Sequence, residues 1–116
     1  MKRVETVNIK DVNGKDLELE VYVDVYSMIH FEQEYQKLTG KESSFLVELQ
    51  KVEKTQSMTS IILLLGSAIH LVGKDKPVGV KLLNERIDVL ENISVLMEAL
   101  GNSMASNKIK SDNKGK

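Results

Sequence analysis

The stretch Leu17-Glu18-Leu19-Glu20-Val21-Tyr22-Val23-Asp24-Val25 decides the fold. Apolar and polar side chains alternate along it with period two, the pattern of a strand with one face buried. From Tyr26 the period changes. Met28, Phe31, Tyr35 and Leu38 are spaced 3, 4 and 3, which puts them on one stripe of an amphipathic helix. Upstream, Val7 and Ile9 alternate in the same way, so residues 4–25 are predicted to form a β-hairpin. Asn13-Gly14 suggests a two-residue loop, but that loop pairs Ile9 with Glu18 and puts apolar side chains on both faces. A three-residue loop, Val12-Asn13-Gly14, pairs Ile9 with Leu17, Val7 with Leu19 and Glu5 with Val21. It places Asp11 and Gly14 at the ends of a type I turn followed by a glycine bulge.

Downstream of the first helix, Gly40 is suited to a left-handed cap and Ser43 or Ser44 to the start of a second helix, whose stripe is Phe45, Leu46, Leu49 and Val52. A third helix is expected over residues 57–72. Its Ile61-Ile62-Leu63-Leu64-Leu65 run is apolar on more than one face, which suits the centre of a bundle. Gly73 and Pro77, the single proline, break it. Helical spacing resumes after Val80 through Leu83, Ile87, Leu90, Ile93, Leu96, Met97 and Leu100, with a break expected near Glu91-Asn92 and Asn92 or Ser94 as the cap of a last helix. The fold class expected is α+β, mainly α: an N-terminal antiparallel hairpin packed on four to five helices. Residues 1–101 form the expected single domain. Residues 102–116, rich in Ser, Asn and Lys, are the expected disordered tail.

The 116 residues are enough for one core. Zero cysteines exclude a disulfide framework, thiolate catalysis and thiolate-ligated metal. The net charge of −1 hides a division, because residues 102–116 carry four lysines against one aspartate, while residues 1–101 carry 12 basic and 16 acidic side chains. An acidic body tracks a phosphate backbone poorly, and no aromatic residue follows Phe45, so neither a nucleic-acid nor a membrane partner is expected. Met1-Lys2-Arg3-Val4-Glu5 has no apolar run behind its basic residues and does not read as a secretory signal. The apolar stretch 58–72 is shorter than a bilayer span requires.

Chemical motifs are sparse. His30 and Glu34, at i and i+4, share a helix face, but no third or fourth metal ligand accompanies them, so no metal or cofactor is expected. His70, at the end of the apolar run, is expected to meet the last carbonyls of its helix. Glu18, Glu20 and Asp24 form the solvated row that strand alternation produces. No nucleophile pair or phosphate-binding loop is recognisable, and no catalytic residue is assigned.

The order of segments is similar to that of tail assembly chaperones from long, flexible-tailed bacteriophages and related prophages. The hairpin ending Leu17-Glu18-Leu19-Glu20-Val21-Tyr22-Val23-Asp24 carries the resemblance together with Met28-Ile29-His30-Phe31-Glu32-Gln33-Glu34-Tyr35-Gln36-Lys37-Leu38-Thr39-Gly40-Lys41. So do the apolar helix Ile61-Ile62-Leu63-Leu64-Leu65-Gly66-Ser67-Ala68-Ile69-His70 and the acidic end Leu90-Glu91-Asn92-Ile93-Ser94-Val95-Leu96-Met97-Glu98-Ala99-Leu100. It covers about residues 5–101. The resemblance implies the short form of a non-enzymatic, oligomeric chaperone in the host bacterial cytoplasm. Such a protein binds the tape measure protein, keeps it soluble, promotes tail tube assembly and is absent from the finished virion. A longer product made by ribosomal frameshifting is a further implied partner.

Two surfaces are expected to serve such a role. Val7, Ile9, Leu19, Val21 and Val23 of the hairpin would divide between the core and a contact with another subunit, since strand edges invite pairing. Phe45, Leu49, Val52, Ile87, Leu90, Ile93, Leu96 and Leu100, on the helical stripes, would take an apolar client. The competing readings are another small phage morphogenesis component, a tail-completion or connector protein, and, behind it, a small DNA-binding regulator.

Overall fold

The computed structural model describes residues 3–114, with side chains through Met104. The order is β1 (Glu5–Lys10), β2 (Asp16–Val21), α1 (Val25–Thr39), α2 (Phe45–Thr55), α3 (Met58–Ala68), β3 (Ile69–Leu71), α4 (Gly79–Arg86) and α5 (Val89–Lys114). The three strands form one antiparallel sheet in the order β1-β2-β3, and the chain is an α+β fold with helix predominating.

The hairpin has the register predicted from its alternation, with Glu5 opposite Val21, Val7 opposite Leu19 and Ile9 opposite Leu17. Its turn is built by Asp11. The Asp11 carbonyl accepts from Gly14 N–H at 2.9 Å, and its carboxylate Oδ1 accepts from Asn13 N–H at 2.8 Å and Lys15 N–H at 3.0 Å. Gly14 has φ +80°, a left-handed conformation that a side chain would strain. One face of the sheet carries Val7, Ile9, Leu19 and Val21, all buried, against α5.

Asp24 starts α1 through a capping box with Ser27, and Gly40, at φ +75°, ends it. Ser44 caps α2 and Ser57 caps α3. Phe31 packs edge-on against Phe45 with ring centroids 5.6 Å apart, which joins α1 to α2. Gly66 of α3 lies against the start of α4. A Cβ there would sit 3.0 Å from the Gly79 carbonyl carbon and 3.1 Å from Val80 N.

Three expectations are corrected. The helix expected over residues 57–72 stops at Ala68, and Ile69–Leu71 become a strand whose His70 pairs with Glu20 of β2. A continuous apolar run is compatible with a buried helix or a buried strand. The unfilled side of β2 selects the strand. The break expected near Glu91-Asn92 lies instead at Ile87 and Asp88, where Ile87 bridges to Asp11 and Asp88, rather than Asn92 or Ser94, accepts the N–H of Glu91. The last helix does not end at Gly101. Ser103 is buried with its hydroxyl donating to the Leu100 carbonyl, Met104 packs on the core, and α5 continues as helical backbone to Lys114. The domain therefore includes residues 102–104 of the expected tail, while residues 115 and 116 lie outside the described residues.

Candidate functional site

The side chains expected to mediate self-association lie inside the molecule. Leu19 and Val21 are fully buried, Val7 and Ile9 nearly so, and Val23 packs against the same core. What β1 leaves on the surface is its backbone edge and the outward residues Thr6, Asn8 and Lys10. The expected client-binding residues are also mostly internal. Phe45, Val52, Ile87, Leu96 and Leu100 are core residues, and Leu49 and Ile93 are half-buried against it. Leu90 alone of that set is exposed, at 71%. Phe45, Val52, Ile87, Leu96 and Leu100 are therefore not open to a client, because the stripe of an amphipathic helix is the part the fold itself consumes, while Leu90 stays accessible.

The exposed apolar side chains lie beside the stripes. Val25, Tyr26 and Ile29 stand at the N-terminal end of α1 at 67%, 71% and 46% exposure, and Leu46 and Val47 project from α2. Val95 stands five residues beyond Leu90 on α5 and is also exposed. Tyr26 also lines a cleft of about 390 Å³ with Tyr22, Asp24, Asp75, Lys76 and Pro77. Its floor is rigid: Tyr22 stacks on His70 with ring centroids 3.7 Å apart and planes at 6°, and both residues are buried. His70 Nδ1 lies 3.0 Å from the Ala68 carbonyl. It thus meets the end of its helix as expected, though from a strand.

Two polar clusters bridge helices, and neither was visible as a unit in the sequence. In the first, His30 Nδ1 of α1 lies 3.0 Å from Ser67 Oγ of α3. Burial pushes the His30 pKa down, and the nearby Glu34 carboxylate only partly offsets this. A histidine beside a serine invites comparison with a nucleophile and its base, but Ser67 is fully buried, at 0% exposure, and no substrate reaches it. In the second cluster, Glu48 of α2 accepts from Ser43 Oγ at 2.6 Å and from Ser60 Oγ of α3 at 2.9 Å, with Lys51 Nζ 3.7 Å away. Burial raises the Glu48 pKa, but the two hydroxyls and the Lys51 charge outweigh it and hold the carboxyl below its ordinary range. The Ser43 to Glu48 spacing around the Ser44 cap is the signal that could have revealed this cluster.

Among the described residues, no group of three or more His, Asp or Glu is placed to hold a metal ion, and Glu34 lines a different surface hollow with Lys37 and Lys81. No described helix is long and apolar enough to cross a membrane. No protein-family model, curated protein or solved structure matches the chain.

Proposed function

We propose that this chain is a tail assembly chaperone of a long, flexible-tailed bacteriophage or prophage, in its short form, acting in the host cytoplasm. It binds the tape measure protein, keeps it soluble while the tail tube forms, and takes no place in the finished tail. One observation carries the reading. The core is closed, yet apolar side chains stand exposed on three helices, at Val25, Tyr26 and Ile29, at Leu46 and Val47, and at Leu90 and Val95. Side chains of this kind suit shallow, weakly directional contacts with apolar helices of a client. The acidic body of residues 1–101 keeps such a complex in solution. The buried Ser67 and the structural setting of Glu48 favour a binding protein over an enzyme.

Co-expression with the tape measure protein encoded beside it tests this. The chain should raise the soluble yield of tape measure, and Val25→Ser with Tyr26→Ser should lower that yield while changing stability by less than about 0.5 kcal/mol, as exposed substitutions do. A soluble yield that is the same with and without the chain sinks the proposal.

A further inference from the structure

The tip of the hairpin carries Asn13-Gly14, the single Asn-Gly pair in the chain, with both residues exposed. Asparagine before glycine has a reaction of its own, because no side chain keeps the glycine nitrogen away from the asparagine carbonyl carbon. Gly14 N can attack Asn13 Cγ. A new N–C bond closes a succinimide ring, the Cγ–Nδ2 bond breaks, and ammonia leaves with the proton that Gly14 gives up. Water then opens the ring at either of its carbonyls. One opening gives aspartate, and the other gives isoaspartate, whose main chain runs through Cβ and is longer by a carbon atom. Both place a new carboxylate at residue 13.

The folded turn opposes this reaction. The attacking nitrogen has to give up its proton, and in the turn that N–H is held by the Asp11 carbonyl at 2.9 Å. The Asp11 carboxylate binds the amides on both sides of it, Asn13 N–H at 2.8 Å and Lys15 N–H at 3.0 Å. These amides, Lys15 foremost, hold the Asp11 pKa below the ordinary carboxylate value, so its charge is in place at neutral pH. A negative charge at that point disfavours a deprotonated Gly14 nitrogen. We propose that Asn13 is a self-modifying site guarded by Asp11: it deamidates only when the turn opens, and the isoaspartate product keeps the turn from closing again. The longer main chain no longer brings Gly14 N–H onto the Asp11 carbonyl. The effect reaches beyond the loop, since Val12 N–H donates to the Arg86 carbonyl at 2.9 Å and Asp11 bridges to Ile87, which ties the tip to the junction of α4 and α5. The reaction takes up water and needs no partner, so it does not depend on the chaperone reading.

Peptide mapping by mass spectrometry tests it, on the full chain incubated at neutral pH either folded or unfolded in guanidinium chloride. Asn13 should convert about tenfold or more slowly in the folded chain, the factor that the hydrogen bonds of the turn impose on opening. Asp11→Ala removes the guarding carboxylate, so it should raise the folded rate about tenfold while the helical circular dichroism is kept. Folded protein that has aged should contain isoaspartate at residue 13, and the Val12 amide of that form should exchange its hydrogen faster than in fresh protein. A folded rate equal to the unfolded one overturns the proposal, whether or not the variant folds. So does a folded Asp11→Ala chain that ages no faster than wild type, or an isoaspartate form whose Val12 amide is as protected as before.

Discussion

Replacing Glu48 with alanine should destabilise the fold by about 2–3 kcal/mol at neutral pH. The carboxylate accepts two hydroxyl hydrogen bonds that tie the start of α2 to the start of α3. Hydrogen bonds to a charged group contribute about 1.5–3 kcal/mol each, and burial of the carboxylate takes back part of that sum. Alanine also leaves the Ser60 hydroxyl, in a residue only 6% exposed, without its acceptor. Ser43 is half-buried and can turn to water. A loss of this size corresponds to a melting temperature lower by roughly 10–20 °C for a domain of about 100 residues. Glu48→Gln separates charge from shape. The folded protein holds the Glu48 pKa below the unfolded value, so the unfolded state takes up a proton first as pH falls. The stabilisation is therefore complete above the unfolded value and is lost as pH drops through the folded one. Urea titrations of wild type and Glu48→Gln at neutral pH and at about pH 3 should show the gap between them narrowing in acid. An alanine variant within about 0.5 kcal/mol of wild type, or a gap as wide in acid as at neutral pH, would refute the account of this cluster.

Two further outcomes follow from α3. Gly66→Ala drives a Cβ to within 3.0 Å of the Gly79 backbone, which cannot rotate away as a side chain could, so thermal or urea unfolding should report a loss of about 1–3 kcal/mol. An unchanged midpoint would mean that α4 shifts without cost. His30 is held neutral by burial, its folded pKa lying below the unfolded value, so its contribution is complete above the unfolded value and declines as pH falls from about 7 towards 5. His30→Gln should flatten that part of the stability curve, and an NMR titration of the ring should give a pKa below that of an exposed histidine.

The hairpin was legible because each residue of Val7, Ile9, Leu17, Leu19 and Val21 restricts the register to one solution, and the Asp11 to Gly14 turn agrees with it. The caps at Asp24, Gly40, Ser44 and Ser57 are local chemistry and leave local marks, of which Gly40 and the Ser43-Ser44 pair were read in advance. The third strand was not legible, because Ile69-His70-Leu71 belongs by composition to the helix before it. Only β2, about 50 residues earlier in the chain, converts it to a strand. Most of the expected client-binding residues prove to be core for a related reason. Periodicity finds what the fold buries, and Phe45, Val52, Ile87, Leu96 and Leu100 are found that way and are buried. Tyr26 and Val47 break the pattern and are exposed, and a residue that breaks the pattern while remaining apolar is the better candidate for a partner.

The exposed residues also set how such a protein can work. Full burial of one Val, Ile or Tyr side chain yields about 1.5–3 kcal/mol, and Val25, Tyr26 and Ile29 begin roughly half to two-thirds exposed. Together they offer about 3–5 kcal/mol, which is at or below the estimated 4–15 kcal/mol cost of bringing two molecules together. One patch on one copy therefore holds a client only weakly. Weak contact would suit the proposed chaperone, which has to let go when the tube closes around the client, but it would not by itself keep a long apolar chain in solution. Several copies would, because a second site on a paired molecule binds intramolecularly and multiplies the effective affinity by about 10²–10⁴ without any new kind of contact. On the proposed chaperone reading, apolar patches too small to act singly would therefore require several copies on one client, and a single copy should bind an isolated apolar helix only weakly.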